Sequence, residues 1–485
     1  MKKDPTTILI YPELEFTGAQ IPTPPYSILF IADYLLKRGI DVKTFDLRFN
    51  SFNDVAKALK ENNVEYIGVS AMTGPQIHYA IEFCRFIKNH FKHIKVVWGG
   101  IHPTILPAQT LQNKLVDIVI RGEGEKPFYE LISGTPLEDI NGLSYKKNQK
   151  IYHNQDAKRL SKSEINQQEI PWDLINPANY IKNGNFIIIT SRGCPYRCSF
   201  CYNSIFDNIW RGWTPEKCIK ELDKAIEFGA RKITFYDDNF FANSKRVKAL
   251  FKYFKEKGLI WKAELRVDQL DYSLAKSAKN HGCEQLFFGA ESGSQRILNI
   301  LNKEITPRDI VRSAKIAKLV DIRADYSWMI GIPGEKLKDV KKTIALIKKV
   351  KDINPECEFS IKLLYPYPKT VIFSHAKREG FSPPTTLTEW SKIRREQAAE
   401  YLEHKNYLEM ISIISAIIGR RVFEQQDIPI LGLLQYTANL RWKYETFGGG
   451  VEAIFWKVFR NLIEKFINKS EGYDPFSDEV IIDTK

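Results

Sequence analysis

The sequence predicts an α/β protein: an N-terminal doubly wound parallel sheet, then a partial (β/α)6 TIM-type barrel, then a helical C-terminal region. Two alternations of short apolar runs with helical stretches support this, over residues 6–134 and again over residues 185–375. Prolines and turn residues interrupt the pattern between them, at 135–182. The expected domains are a sheet domain, a hairpin with a linker, the barrel, and a C-terminal substrate domain, at 1–140, 141–182, 183–378 and 379–485 respectively.

The first alternation has the run lengths of parallel strands that are buried on both faces. Its apolar runs are TTILIYP, DVKTFDL, YIGVSA, KVVWGG and DIVIRGEGE, and a last helix is expected from about Glu125 to Ile132. Ligands of such sheets bind outside the carboxyl ends of the strands. Three loops there are rich in small residues, which would let a large planar or phosphate-bearing ligand approach the backbone. These loops are SAMTGPQ (70–76), GGIHPT (99–104) and RGEGE (121–125).

The interruption contains two recognisable segments. INGLSYKKNQKIYHNQ (140–155) predicts a hairpin, and EIPWDLINPANY (169–180) predicts an extended linker. The second alternation then supplies six strands, fewer than the eight of a full barrel. They are NFIIITSRGC (185–194), KITFYDDNF (232–240), WKAELRVDQL (261–270), CEQLFFGAESG (283–293), RADYSWMIGIPGE (323–335) and EFSIKLLYPYP (358–368).

Composition excludes several classes of protein. The hydrophobic content is 44% and the aromatic content 12%, which indicates compact domains. The densest apolar run, ISIISAII (411–418), is less than half the roughly 18 residues needed to span a bilayer. The formal charge is +13, but Lys is spread along the chain with acidic residues between, so no nucleic-acid partner is expected. The N-terminus does not resemble a secretory signal.

Three of the seven cysteines lie in SRGCPYRCSFCYN (191–203), directly after the first barrel strand, where barrels place their chemistry. The spacing is CxxxCxxC. A disulfide would leave an odd thiol, and a structural zinc site needs four ligands, with none following nearby. Three thiolates can hold three irons of a four-iron cluster and leave the fourth open. The other cysteines are scattered and expected to be structural, in a reducing cytoplasm: Cys84, Cys218, Cys283 and Cys357.

The cysteine spacing, with Phe200 before the third cysteine, resembles the motif of radical S-adenosylmethionine (SAM) enzymes. The resemblance implies a [4Fe-4S] cluster on Cys194, Cys198 and Cys201, whose open iron chelates SAM. It also implies binding of the methionine amino group by FYDDNF, of its carboxylate by ELRVD, of the ribose by GAESGS and of the adenine by GIPGE. The expected SAM-binding residues are Phe200, Asp237, Asp238, Arg266, Glu291, Ser292, Gly331 and Gly334.

The sheet domain resembles the cobalamin-binding domain that precedes the barrel in one branch of this family. The DxHxxG motif of some cobalamin proteins is absent, and no histidine occurs between Met1 and Ile77. The resemblance therefore implies a cobalt whose lower face lacks a histidine; the nearest candidates, His78 and His102, are expected to be loop or helix residues. The expected cobalamin-binding residues are Ser70, Met72, Thr73, Gly74, Gly99, Gly100, His102, Thr104, Gly122, Glu123 and Gly124.

Together the two resemblances imply methylation of an unactivated carbon, with methylcobalamin as methyl donor and a 5′-deoxyadenosyl radical that removes a substrate hydrogen. The alternatives are ring closure, as in the protoporphyrin ester cyclase relatives, or a ring rearrangement with the same cofactors. A methylthiotransferase is disfavoured because only Cys84 precedes Cys194. A non-catalytic cobalamin or redox sensor is disfavoured by the open-iron motif. No catalytic acid or base is assigned.

The expected partners are a small-molecule or lipid-like substrate and an external one-electron donor of the flavodoxin or ferredoxin type. Localisation is expected in the cytoplasm, in a low-oxygen setting. VEAIFWKVFRNLIEKFI (451–467) places Lys457, Arg460 and Glu464 on one helical stripe. This predicts a helix packed on the barrel, with a substrate path or a peripheral membrane contact as the alternative.

Overall fold

The computed structural model describes residues 6–13, 22–206, 208–393, 400–419 and 429–448. The segment 451–467, with its predicted helix, lies outside these residues. The described strands are β1 Thr6–Tyr11, β2 Asp41–Asp46, β3 Tyr66–Ser70, β4 Lys95–Gly99, β5 Ile118–Ile120, β6 Leu143–Lys147, β7 Lys150–His153, β8 Asn185–Ile188, β9 Ser191–Arg192, β10 Arg211–Gly212, β11 Lys232–Phe235, β12 Ile260–Leu265, β13 Cys283–Glu291, β14 Arg323–Ile330 and β15 Glu358–Leu363.

Helices connect these strands and follow them. They are α1 Tyr26–Leu36, α2 Phe52–Glu61, α3 Gln76–His90, α4 Ile101–Ile105, α5 Pro107–Gln112, α6 Glu125–Ile132, α7 Lys162–Gln167, α8 Pro215–Glu227, α9 Ser244–Glu256, α10 Tyr272–Asn280, α11 Gln295–Ile300, α12 Pro307–Val320, α13 Leu337–Ile353, α14 Val371–Arg378, α15 Leu387–Trp390, α16 Lys405–Ile418 and α17 Pro429–Tyr444. In the part of the chain that the structure covers, none of them combines the length and apolarity of a membrane span.

The N-terminal sheet has the strand order β2-β1-β3-β4-β5-β6-β7. The first five strands pair in parallel, as the alternation predicts, and β6 and β7 add an antiparallel edge. The predicted hairpin is confirmed, and it extends this sheet. Its turn residues, Asn148 and Gln149, both have positive φ (52° and 62°), the geometry of a tight two-residue turn that follows strand twist.

The second sheet is the predicted partial barrel, with six parallel strands in the order β15-β14-β13-β12-β11-β8. Most of the predicted strands run past the observed ends. KITFYDDNF, for example, is extended only to Phe235, and its polar DDNF residues lead into a 3₁₀ turn at Phe240–Asn243. Most of the residues that the sequence places at strand ends therefore belong to loops, whereas Glu291 is the last residue of β13.

The two sheets share a packed boundary that α1 provides. Tyr26 and Phe30 of this helix belong to the same buried cluster as the barrel core, and the Tyr26 hydroxyl donates to the Ile187 carbonyl of β8 at 2.9 Å. The Phe30 ring meets Trp213 edge-on at 6.1 Å. Buried aromatic contacts of this kind hold the sheet domain against the first strand of the barrel.

The C-terminal region covers both domains. Helix α16 packs along β15, where the Ser415 hydroxyl oxygen accepts from the backbone N–H of Ile361 at 3.1 Å. Helix α15 instead returns to the sheet domain. Its Leu387 and Trp390 are buried in the hydrophobic cluster of that domain, and the Trp390 Nε1 donates to Gln109 Oε1 at 2.6 Å.

Candidate functional site

The cysteine loop leaves the barrel after β8 and is closed at its base by a short antiparallel ribbon. In this ribbon β9 pairs with β10, so Arg192 lies opposite Arg211. The far side of the loop is anchored to other parts of the chain through Ser199, whose N–H donates to the Leu301 carbonyl at 2.8 Å and whose carbonyl accepts from Ile372 at 3.0 Å. The loop is therefore fixed at both its base and its tip.

The three cysteines line a cavity of about 350 Å³ at the carboxyl ends of the barrel strands. The structure brings seven of the predicted cluster and SAM residues together on its wall, from four separate stretches of sequence. These residues are Cys194, Cys198, Phe200, Cys201, Asp238, Arg266 and Glu291.

The donor set suits a polynuclear group. A cubane cluster binds each thiolate at a separate iron, and three thiols of one loop on the wall of one cavity can supply that set. Burial raises the pKa of all three thiols, that of Cys201 to about 12, so metal binding must displace their protons.

Two polar side chains on the wall have buried atoms without a protein partner, which is the mark of a site built for a polar ligand. Arg266 stacks its guanidinium 3.7 Å from the Tyr196 ring centroid and donates to Asp268, yet its Nη1 has no partner. Neither Oδ1 nor Nδ2 of Asn239 has one. A guanidinium and a carboxamide of this kind match the carboxylate and amino groups of an amino-acid ligand.

Glu291 is held by a buried ion pair at the end of β13. Lys303 Nζ donates to Glu291 Oε1 at 2.7 Å, and the Glu291 backbone is left-handed, with φ of 61°. A Cβ at Gly289 would lie 2.8 Å from Lys303 Nζ, so a side chain there would have to displace the end of the lysine. Although burial opposes its charge, Glu291 keeps the pKa of Lys303 above its ordinary value, so a cation is fixed beside the cysteines.

Four of the predicted SAM residues do not reach the cavity wall. Asp237 accepts from the Thr190 N–H at 2.9 Å and turns toward β8, and Ser292 is buried against Thr343 at 3.1 Å. The remaining two, Gly331 and Gly334, shape a neighbouring turn. In this turn Glu335 accepts a hydrogen bond from the Gly331 N–H at 2.7 Å.

Sequence reasoning missed several residues on the wall. Asn239 and Glu264 stand inside or beside the quoted stretches FYDDNF and ELRVD, so strand-end position could have found them. Lys303 follows α11 in a loop, and nothing local marks it. Burial and the charge of Asp238 raise the pKa of Glu264 well above its ordinary value.

The three glycine-rich loops of the sheet domain are bonded to one another. The Thr104 hydroxyl donates to the Gly100 carbonyl at 2.7 Å and accepts from the Gly122 N–H at 3.0 Å. The Thr73 hydroxyl lies 3.1 Å from His102 Nδ1. Added Cβ atoms at Gly99 and Gly122 would meet nothing within 4 Å, so open space adjoins these loops. An uncluttered edge of this kind fits a large planar ligand.

The other predicted cobalamin residues differ in their surroundings. Met72 is 38% exposed beside this edge, whereas His102 is fully buried, its ring 5.7 Å from that of Trp390. Burial lowers the pKa of His102 to about 4, and its Nε2 has no partner. The Ser70 hydroxyl donates to that of Ser27, and Glu123 turns toward the cysteine loop. The remaining two residues, Gly74 and Gly124, flank turns.

Comparisons with known proteins agree with both halves of this arrangement. Residues 19–132 match the B12 binding domain family, and residues 188–347 match the radical SAM superfamily. An uncharacterized methyltransferase of Pyrococcus horikoshii is 36% identical over 369 residues, which cover 73% of this chain and 78% of that protein. The chain belongs to the cobalamin-dependent radical SAM enzymes.

The chain also resembles proteins at lower sequence identity. An anaerobic magnesium-protoporphyrin IX monomethyl ester cyclase of Cereibacter sphaeroides is 24% identical over 363 residues, covering 69% of this chain and 58% of the cyclase. The fold matches that of the enzyme OxsB, solved with aqua-cobalamin and SAM, with a TM-score of 0.73, 15% identity, and coverage of 95% of this chain and 76% of OxsB. The methyltransferase TsrM of Kitasatospora setae gives a TM-score of 0.65 at 17% identity, with 78% and 76% covered.

The family membership identifies the cofactors of this radical SAM enzyme as a [4Fe-4S] cluster, SAM and cobalamin. The residues present fit the first two, since three thiols, an unpartnered guanidinium nitrogen and an unpartnered carboxamide share one cavity. They also fit cobalamin, since the glycine loops leave room at the sheet edge.

Proposed function

We propose that this enzyme methylates an unactivated carbon of a small molecule. The observation that carries the proposal is the presence in one chain of the cysteine cavity and the open sheet edge, in a protein 36% identical to an uncharacterized methyltransferase. When bound, the cluster and SAM supply a radical that abstracts hydrogen, and cobalamin supplies the methyl group.

The residues of the cavity have separate tasks in this proposal. Cys194, Cys198 and Cys201 ligate the cluster. Arg266 binds the SAM carboxylate through Nη1, and its stacking on Tyr196 fixes the plane of the guanidinium. A guanidinium held in this way loses little freedom when it binds a carboxylate.

A second group of residues places the methionine amino group and the ribose. Asp238, fixed by the Tyr202 hydroxyl at 2.9 Å, and Asn239 face the amino group. Glu291, held by Lys303, faces the ribose hydroxyls. Asp237, Ser292, Gly331 and Gly334 act by holding the surrounding loops.

The substrate is proposed to be a small molecule that carries polar groups. The far wall of the cavity, on β12 to β15, is lined by Glu264, Asp325, Ser327 and Ser360, with Leu265, Phe287, Phe288 and Met329 as its apolar part. A pure hydrocarbon bound here would remove water from these carboxyl and hydroxyl groups and give them no hydrogen bond in return, which costs free energy. The mixed wall therefore supports a polar or amphipathic substrate over a plain lipid chain.

Methyl-labelled SAM tests the proposal. The reconstituted enzyme would be incubated anaerobically with cobalamin, a one-electron reductant and candidate substrates, and product label compared with 5′-deoxyadenosine formed. Methylation predicts label in the product. Deoxyadenosine with an unlabelled product would overturn methylation and favour ring closure, the second candidate, which the resemblance to the cyclase of Cereibacter sphaeroides supports.

The partners and setting complete the proposal. An external flavodoxin- or ferredoxin-type protein would supply electrons, and an oxygen-labile cluster suits a low-oxygen cytoplasm. Residues 379–485 would contribute to substrate access. On α17, exposed Leu433, Tyr436 and Leu440 lie on one side, which supports a peripheral membrane contact there. Sedimentation with phospholipid vesicles tests it, and recovery of all the protein in the supernatant would overturn it.

A further inference from the structure

The neck of the cysteine loop brings two positive charges together. Arg192 of β9 and Arg211 of β10 are directly opposite in the ribbon that closes residues 193–210 into a loop. Like charges at directly opposed positions destabilise an antiparallel pair. Both side chains are largely buried, with exposed fractions of 20% and 10%, so water screens their repulsion poorly. The neck needs a counter-charge.

Glu123 of the sheet domain supplies that charge. Its Oε1 lies 3.2 Å from Arg192 Nη1 and 2.8 Å from Arg211 Nη2, and its Oε2 accepts from Arg211 Nη1 at 3.0 Å. The same Oε2 accepts from the Leu160 N–H at 2.7 Å. One carboxylate thus bridges both arginines, and the two arginines keep its pKa below the ordinary value although burial opposes this.

A second carboxylate completes the network on one side. Glu125 Oε1 accepts from Arg192 Nη2 at 2.7 Å, and Gln168 of the linker bonds to both residues. Arg192 also lies 5.0 Å above the Phe30 ring of α1. Every strong contact of the Arg192 guanidinium therefore goes to the sheet domain or the linker.

Glu123 belongs to the loop RGEGE (121–125), which is hydrogen-bonded to the loop GGIHPT (99–104). The Gly122 N–H, next to Glu123, donates to Thr104, which in turn donates to the Gly100 carbonyl. Two hydrogen bonds, followed by the peptide link from Gly122 to Glu123, therefore connect the proposed cobalamin edge to the base of the cysteine loop. Displacement of the 122–124 backbone by a bound ligand would move the carboxylate between the two arginines.

We propose that Glu123 is a positioning residue of the cluster site: it fixes the neck of the cysteine loop through Arg192 and Arg211, and so makes that loop depend on the sheet domain. This assigns Glu123 to the loop and not to direct contact with cobalamin. The inference rests on the proposed function only in that the loop ligates the cluster. Removing one member of a buried ion pair leaves the other charge uncompensated, so the neck should open when Glu123 is neutralised.

Hydrogen–deuterium exchange on the iron-free full chain tests the neck directly. Glu123→Gln should accelerate exchange in peptides covering 191–212 by roughly tenfold, with barrel strand β13 unchanged. Glu130→Gln is the matched control, because Glu130 lies on α6 of the same loop–helix unit in a partly exposed pair with Lys126, whose side chain is 63% exposed. It should exchange at the wild-type rate. Equal rates in wild type and Glu123→Gln would overturn the proposal.

A double-mutant comparison separates the ion pair from general damage. Arg211→Gln alone should also accelerate exchange in 191–212, and the Glu123→Gln, Arg211→Gln double variant should exchange more slowly than the product of the two single effects predicts. Multiplicative effects would contradict the bridge. If Glu123→Gln fails to fold, Arg211→Lys keeps the charge, loses the bidentate contact, and should show an intermediate acceleration.

Cluster properties give the second readout. Iron bound per chain after reconstitution should fall in Glu123→Gln, and the electron paramagnetic resonance signal of the reduced cluster should shift less on SAM addition than in Glu130→Gln. Loss of cobalamin binding with normal exchange and a normal cluster would overturn the proposal and return Glu123 to the cobalamin site. None of these measurements depends on methyl transfer, so failure of the methylation assay would leave the outcome readable.

Discussion

Lys303 and Glu291 form an ion pair of 2.7 Å in the wall of the cysteine cavity, with side-chain exposures of only 9% and 8%. The pair joins the loop after α11 to the end of β13. It also sets a cation near Cys198, whose pKa burial raises and Lys303 lowers. Loss of either charge should therefore destabilise the carboxyl end of the barrel and also change the net charge beside the cysteines.

Lys303→Met should therefore lower the free energy of unfolding by about 3–5 kcal/mol, because it strands a buried carboxylate. Adding Glu291→Gln should recover part of that loss. Urea denaturation of the iron-free chain measures both. The control is Lys126→Met in the partly exposed pair with Glu130, where the lysine is at the surface and less than about 1 kcal/mol is expected. A similar loss in both variants would contradict the buried-pair explanation.

Cys198→Ala should abolish the cluster and, with it, SAM cleavage, since each thiolate holds a different iron. Bound iron and 5′-deoxyadenosine are the measurements. Cys357→Ala serves as the control because Cys357 is buried away from the cavity, at the start of β15. It should keep both iron and cleavage. Persistent cleavage in Cys198→Ala would show that the site lies elsewhere.

Glu335 should give the fold a distinct pH dependence. Burial raises its pKa from 4.5 to about 8. A group whose folded-state pKa is raised contributes its full stability below the unfolded value and loses it as pH rises through the folded value. The free energy of unfolding should thus decline between pH 4.5 and 8 in the wild type, and Glu335→Gln should flatten this decline. The free energy of unfolding of both proteins would be measured by denaturation at several pH values across that range. Parallel curves for wild type and Glu335→Gln would contradict the prediction.

Alanine substitutions at the adjacent residues Gly100 and Gly99 should have different effects: the first should lower stability and the second should weaken cobalamin binding. At Gly100 φ is 97° and a Cβ would lie 2.7 Å from the Ala71 carbonyl oxygen, so Gly100→Ala should cost about 2–3 kcal/mol of stability. At Gly99 a Cβ meets nothing within 4 Å. Gly99→Ala should leave stability within about 0.5 kcal/mol but weaken cobalamin binding in an absorbance titration. Unchanged binding would remove Gly99 from the cobalamin site.

The elements of this fold could be predicted because buried parallel strands are continuous apolar runs. The positions where the strands end could not be predicted. The residues there are polar, and their backbone can be extended whether they belong to a strand or to a loop. Asp237 and Asp238 illustrate the limit. They are adjacent after β11, and only the packing of Thr190 and Ser191 decides that Asp237 turns inward while Asp238 faces the cavity.

The site was predictable where its chemistry is local and not where it depends on distant partners. The cysteine spacing lies within one loop, so the sequence alone predicts that loop as the cluster site. Lys303 reaches the cavity by pairing with Glu291, and Glu123 reaches the neck of the cysteine loop by pairing with Arg211, 88 positions away. Neither pairing leaves a pattern in the chain, because the first pair meets only when the barrel has folded and the second only when both domains have.

The return of Trp390 to the sheet domain has a consequence for engineering. The indole is buried against His102 and bonds to Gln109, which itself donates to the Pro384 carbonyl at 3.1 Å. The cobalamin module is therefore discontinuous along the gene. A chimaera that exchanges only residues 1–140 would pair a foreign sheet with the native β6–β7 hairpin and with the native segment 384–393. Successful grafts should transfer all three pieces together.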